Sequence, residues 1–340
     1  MQIIETERLI LRNFQMSDAE AMFRNWANDP DVLRYMPYKI CEDIETTRVR
    51  IGEWLDYFNS TNLWGAFAME LKSTGEVIGT IDYAETSQTI NEAEIGYQLG
   101  KAWWGMGYAA EALEAIIDHC FETTNLNRIW GGYDPRNAAA GKVMDKAKML
   151  YEGTFRQWRL RNGELVDRSI YAILREDWDT QRELEYYNGL NCHFDDFIDV
   201  PTLSNGEIFL VCTKKSPAIP EKKYVPAYEF AICKGGEQIG HIGLRIGYVD
   251  SLYYGGQIGY SIDEAYKGHG YAGQACLLLA PVARAHKMEK LLITNDVNNI
   301  PSRRVCEKIG ARHVRTARLP EWTDLYLDGQ RYINIYEMLV

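Results

Sequence analysis

One distinctive segment occurs twice in this chain, 163 residues apart, and the repeat limits the possible folds more than any other feature. Glu94-Ile-Gly-Tyr-Gln-Leu99 leads into Trp103-Trp-Gly-Met-Gly-Tyr-Ala109, and Gln257-Ile-Gly-Tyr-Ser-Ile262 leads into Tyr266-Lys-Gly-His-Gly-Tyr-Ala272. Between Ala93–Ala109 and Gly256–Ala272, eight of 17 aligned residues are identical. Each copy reads as a strand, a glycine loop and the start of a helix. Such a loop gathers unsatisfied N–H groups at the positive end of the helix dipole, which suits an anion. The period is far longer than a solenoid unit, so it implies two similar domains.

A chain of 340 residues is long enough for two ordinary domains. Apolar content of 46% and charged content of 25% are those of a globular protein. No apolar run approaches the roughly 18 residues of a membrane span, so no membrane association is expected. The start, Met1-Gln-Ile-Ile-Glu-Thr-Glu7, lacks the pattern of a signal peptide. Seven cysteines, without a CxxC pair, imply a reducing, cytoplasmic setting. Six dispersed histidines give no metal-ligand spacing, and no metal is expected. Residues 1–178 hold 19 Lys and Arg against 28 Asp and Glu, whereas residues 191–340 hold 17 of each. An acidic first half disfavours nucleic acid and favours cationic partners, or it serves only solubility.

Periodicity places elements in a common order in both halves. In the first, Leu9–Arg12 reads as a strand and Ser17–Glu20 as a capping box before a helix. A second helix is expected over Ile44–Phe58, then strands Trp64–Leu71, Val77–Ala84 and Glu94–Leu99. Leu113, Ile116, Ile117, Cys120 and Phe121 form a helical stripe after the glycine loop. Strand Arg128–Tyr133, helix Asn137–Lys148 and strand Ile170–Leu174 follow. In the second half, strands Glu207–Cys212, Tyr228–Cys233, Gln238–Ile246 and Gln257–Ile262 precede helix Tyr271–His286, strand Leu291–Asn295 and helix Ile300–Ile309. The predicted fold class is α+β: two domains, 1–178 and 191–340, each a mixed, largely antiparallel sheet flanked by helices. A charged, turn-rich linker, 179–190, is expected between them.

Gly105-Met-Gly-Tyr-Ala-Ala110 and Gly268-His-Gly-Tyr-Ala-Gly273 also fit a dinucleotide fingerprint, with Asp134 and Asp296 downstream. Three details oppose that reading. Gly100–Trp104 and Asp263–Lys267 separate strand from loop, and the motif follows several antiparallel strands. The aspartates also lie farther on than the usual spacing of roughly 20 residues.

The chain resembles a tandem GNAT acetyltransferase. That family marks its acetyl-CoA site with Q/R-x-x-G-x-G/A, which Lys267-Gly268-His269-Gly270-Tyr271-Ala272 matches. Trp104-Gly105-Met106-Gly107-Tyr108-Ala109 lacks the first residue but resembles the RimJ/RimL-like wording, as do Glu5–Arg12 and Tyr151–Arg156. Asn299-Ile-Pro-Ser302 with Glu307-Lys-Ile-Gly310 resembles the family's N-x-x-S…E-K-x-G segment. In the first half this becomes Asn137…Ala140…Asp145-Lys146, losing the serine. The resemblance implies acetyl-CoA as cosubstrate, held by both glycine loops, Asn137, Asn299 and Ser302. It also implies an amine acceptor, either a protein N-terminus or a small cationic amine.

Acetyl transfer needs a neutral amine, and an amine with pKa near 10 is mostly protonated at neutral pH, so a carboxylate base would help. Glu94, which starts the fourth strand, is the first candidate; its alternative role is that of an exposed strand-edge carboxylate. Gln257 stands there in the second half and cannot be a base. Asp82, Tyr83 and His241 are weaker options. Where the resemblance places a tyrosine acid, the chain has Met144 and Cys306, and Cys306 reads as a buried structural thiol. Trp26, Tyr35, Trp54, Tyr57 and Phe58 either line an acceptor pocket or form core. Two functions stay open: an N-acetyltransferase whose first domain does the chemistry, and a CoA-binding sensor or scaffold with one or both domains inactive.

Overall fold

The computed structural model describes residues 3–36, 39–61, 66–161, 163–222 and 224–340. Met1, Gln2 and Trp64 lie outside these, as does the side chain of Phe58. Two units form, Met1–Asp179 and Thr180–Val340.

In the first unit the strands are β1 (Ile3–Glu5), β2 (Leu9–Asn13), β3 (Phe67–Leu71), β4 (Val77–Ser87), β5 (Glu92–Leu99), β6 (Arg128–Tyr133), β7 (Leu150–Arg161) and β8 (Glu164–Leu174). They form one sheet in the order β1-β2-β3-β4-β5-β6-β8-β7. Helices α1 (Ala19–Met22), α2 (Pro30–Leu33), α3 (Ile44–Thr61), α4 (Tyr108–Thr123) and α5 (Ala138–Lys146) connect them, and α6 (Arg175–Asn188) follows β8. Strand alternation sends Phe67 and Met69 to one face and Ala68 to the other. The α4 stripe of Leu113, Ile116, Ile117, Cys120 and Phe121 buries against the first face with Ile95 and Ile129. Phe14, Met22, Trp26 and Ile51 cover Ala68 and Val77 on the second.

Among the described residues only β5 and β6 are parallel neighbours, and they pair just over Glu92–Glu94 with Arg128–Trp130. Beyond Glu94 they part, and the Tyr97 hydroxyl crosses the opening to donate to the Ala140 carbonyl at 2.9 Å. This splay positions the site.

The second unit repeats the plan with β9 (Leu203–Ser204), β10 (Phe209–Ser216), β11 (Ala227–Lys234), β12 (Glu237–Arg245), β13 (Ile258–Ile262), β14 (Lys290–Asp296), β15 (Arg312–Arg318) and β16 (Tyr332–Leu339). Its helices are α7 (Asp250–Gly255), α8 (Tyr271–Leu278), α9 (Ala280–Ala285), α10 (Ile300–Lys308) and α11 (Asp324–Leu327). Here the sheet is split into β13-β12-β11-β10-β9 and β14-β16-β15. Gln257, fully buried, ties the halves together. Its N–H donates to the Leu292 carbonyl at 2.8 Å, its Oε1 accepts from Leu292 N–H at 2.6 Å, and its Nε2 donates to the Gly247 carbonyl at 3.0 Å. Gln257→Glu would turn the last bond into two facing acceptors. It should cost about 1–3 kcal/mol of stability, read as a lower melting midpoint, because a buried polar group then lacks its partner.

Several sequence expectations are corrected. The segment 179–190 is no turn-rich linker: α6 runs through it, and Tyr187 is buried in a second-unit cluster. The cap before α1 is set by Asp18, which accepts from Gln15 N–H at 2.8 Å, and not by Ser17 and Glu20. The expected helix Tyr271–His286 is broken after Leu278, with Pro281, which has no N–H to donate, in the first turn of α9.

Candidate functional site

Both glycine loops share one backbone conformation. Gly105 and Gly107 have φ of 76° and 88°, and Gly268 and Gly270 have 83° and 86°. This left-handed region costs other residues roughly 1–2 kcal/mol. A Cβ on Gly105, Gly268 or Gly270 would meet no atom within 4 Å, so the space over the backbone is open. The helical ladders begin when Glu111 N–H donates to Gly107 C=O and Gln274 N–H donates to Gly270 C=O. The N–H groups of Tyr108–Ala110 and Tyr271–Gly273 therefore precede the ladder.

In the first domain a cleft of about 570 Å³ runs from this loop along the opened strand to α5. Gly105, Gly107, Ala109 and Asn137 line it, with Tyr97, Gln98 and Leu99. Met106 and Tyr108 do not. Met106 is exposed, and its carbonyl accepts from Arg8 Nη1 at 3.0 Å. Arg8 covers the Tyr108 ring at 4.4 Å and pairs with Glu111 at 2.6 Å, clamping the loop to the bend between β1 and β2.

The second cleft, about 1400 Å³, is lined by Lys267, Gly268, Gly270, Tyr271, Ala272, Asn299 and Ser302. His269 stacks on Tyr271 instead, with ring centroids 5.5 Å apart. Asn299 Oδ1 accepts from Ser302 N–H at 3.1 Å, and Ser302 Oγ meets the Tyr260 hydroxyl at 2.9 Å. Tyr260 and Ser302 thus match Tyr97 and Ala140 of the first domain.

Sequence reasoning missed the cations on the far wall. Lys142 and Lys146 on α5, and Arg304 and Lys308 on α10, line their clefts at equal spacings from Asn137 and Asn299. Four residues apart, each pair stands on one helical face. The repeated asparagine-to-cation spacing could have revealed them.

Glu94 is not a free strand-edge carboxylate. It forms an ion pair with Arg168, whose guanidinium lies 5.2 Å over Trp130. Asp82, its neighbour across β4 and β5, is half-buried and lies over Gly96, 3.1 Å from where a Cβ would stand. Burial, aided by the Glu94 charge, pushes the Asp82 carboxyl up to about 7. Gln98, on the same strand face two residues beyond Gly96, lines the cleft about 7 Å farther on by strand rise. Asp82, the weaker of the two carboxylate candidates, thus lies on the strand face that continues to the cleft.

The remaining candidates separate clearly. Tyr83 is buried on the core face, and its hydroxyl is raised by burial. His241 is exposed, 3.2 Å from Gln238 Nε2. Burial pushes the Cys306 thiol up to about 12, which fits a structural residue, and Met144 is buried. Trp26 and Trp54 belong to the core and Tyr57 is exposed, while Tyr35 lines the cleft. Asp134 cannot serve a ribose, because Arg136 and Arg161 hold it and lower its carboxyl to about 2. Among the described residues, no cluster of metal-ligating side chains occurs, and no helix is long and apolar enough to cross a membrane.

A family model for the acetyltransferase (GNAT) domain matches residues 8–150 and again 169–312. The uncharacterized N-acetyltransferase p20 of Bacillus licheniformis is 33% identical over 181 residues, which are 52% of this chain and 99% of p20. The ribosomal protein uS5 alanine N-acetyltransferase of Escherichia coli is 25% identical, covering 52% of this chain and 92% of its own. A GNAT acetyltransferase structure from Bacillus anthracis, 28% identical, covers 52% and 99% with a TM-score of 0.47. Each relative thus corresponds to about half of this chain. The chain belongs to the GNAT acetyltransferases and is an N-acetyltransferase with two such domains in tandem.

Proposed function

We propose that the chain transfers the acetyl group of acetyl-CoA to a primary amine, and that the first domain performs the chemistry. The observation that carries this reading is Asp82, titrating near neutrality on the strand face that runs into a basic cleft. The N–H groups of Tyr108–Ala110, with Lys142 and Lys146, would hold the phosphates of the cosubstrate. Acetyl-CoA supplies the acyl group as a thioester. Asp82 takes a proton from the incoming ammonium, and Glu94, fixed by Arg168, keeps Asp82 a strong enough base at pH 7. Tyr97 lines the cleft with a neutral hydroxyl whose proton bonds the Ala140 carbonyl. The second proton shed by the amine as the amide forms therefore goes, through water, to the departing thiolate.

The acceptor is a protein N-terminal amine or a small cationic amine. The uS5 acetyltransferase among the relatives favours the first, and the net acidity of residues 1–178 suits either. The second domain reads as a CoA-binding module. Strand register puts Gly243 where the first domain has Asp82, and Gln257 stands for Glu94, so neither of those two positions carries a base. The seven unpaired cysteines support a reducing cytoplasm as the compartment.

Calorimetric titration with acetyl-CoA should give two sites per chain. Release of free CoA thiol should then require an amine, tested with alanine-initiated peptides, polyamines and aminoglycosides. Binding without thiol release from any amine would leave a sensor, and no binding would sink the cosubstrate assignment.

A further inference from the structure

The two domains place opposite charges over the same strand glycine. In the first, the Asp82 carboxylate lies over Gly96. In the second, Asp82 and Glu94 are replaced by Gly243 and Gln257, and Arg245 occupies the register position of Ala84. Its guanidinium folds back over Gly259, with nitrogens 3.7 and 3.8 Å from where a Cβ there would stand.

Arg245 has no ion pair among the described residues. Its one side-chain hydrogen bond there runs from Nη1 to the Gly256 carbonyl at 3.1 Å. Glu229, the carboxylate on the adjacent strand, turns to Lys214 at 3.3 Å. A guanidinium carries five donors in a fixed fork, and Arg245, which lines the cleft, uses one of them on a protein acceptor among the described residues. The same cleft contains the second glycine loop. A protonated amine brought to Gly259 would meet a like charge, whereas a carboxylate would meet a fork shaped for it.

We infer that the second domain holds a carboxylate over Gly259 on Arg245, at the place where the first domain receives an amine. The carboxylate has two possible sources: the far end of an acyl group carried by CoA, or a separate carboxylate-bearing molecule. The first source rests on reading the second glycine loop as a CoA cradle; the second does not.

The full chain, as native protein, Arg245→Met and Arg245→Lys, is titrated calorimetrically with acetyl-CoA, succinyl-CoA, and succinate in the presence of CoA. If the acyl group carries the carboxylate, succinyl-CoA binds at least about tenfold tighter than acetyl-CoA, the usual worth of a charge-assisted bond. Arg245→Met then erases the preference and keeps acetyl-CoA binding, while Arg245→Lys keeps part of it. If the two thioesters bind alike and succinate binds only where Arg245 is intact, the carboxylate comes from a separate molecule. Equal behaviour of acetyl-CoA and succinyl-CoA, with succinate silent or indifferent to Arg245, overturns the inference. Loss of CoA binding with succinate still dependent on Arg245 removes only the cradle reading. Should Arg245→Met fail to fold, the native and Arg245→Lys titrations decide.

Discussion

Gly107→Val should reduce kcat/KM for acetyl-CoA by at least about a hundredfold, the scale of losing oriented donors at a charged site. Gly270→Val should leave turnover unchanged. The first effect has two parts. Gly107 sits at φ 88°, where a β-branched residue is strained, and its new Cβ would stand 3.3 Å from the Arg8 guanidinium that clamps the loop. The strain amounts to roughly 1–2 kcal/mol, worth a few degrees of melting temperature. A stability loss of that size cannot account for a hundredfold fall in a protein that stays folded. Steady-state kinetics beside a thermal melt separates the two. If Gly270→Val abolishes turnover and Gly107→Val does not, the chemistry belongs to the second domain.

Asp82→Asn should lower kcat by roughly 10²–10⁴, the usual contribution of a positioned base. The native kcat/KM should rise with pH through about 7, and the variant should lose that limb. Glu94→Gln discriminates between the two carboxylates. As a neighbour, its removal shifts the limb to lower pH and spares most of kcat; as the base, it would cost as much as Asp82→Asn. Stability supplies an independent readout. From the ordinary 3.8 up to about 7, native Asp82 keeps a proton that the unfolded chain has lost. Native stability therefore falls as pH rises across that window and is level above it. Asp82→Asn should remove the fall and melt higher than the native protein above pH 7, while being nearly inactive.

Where one-sided burial writes a period into the residues, the sequence is readable. Leu113 to Phe121 announce α4, and Arg128–Tyr133 emerges with the bounds expected for β6. Strand β7 and the first half of β8 escaped for the opposite reason, whereas Ile170–Leu174 was expected as a strand. Most residues of Leu150–Arg161 are exposed and none is buried, so no face of that strand imposes alternation. Helix α6 was hidden by its charges, which resemble a linker until Tyr187 is seen buried. The glycine loops were legible because positive φ demands glycine locally. The state of Glu94 was not, since it depends on Arg168, 74 residues away and brought near only by the sheet.

Much of what each cleft presents is peptide chain: N–H groups ahead of α4 and α8, and strand edges where β5 leaves β6 and β13 and β14 belong to separate sheets. Such groups are common to every amino acid, so mutation of side chains leaves them in place. Two domains of this kind can differ as Asp82 differs from Gly243 and Ala84 from Arg245 while both keep the same glycine loop. The difference then falls on the side chains above Gly96 and Gly259, where one architecture carries opposite charges within a single polypeptide.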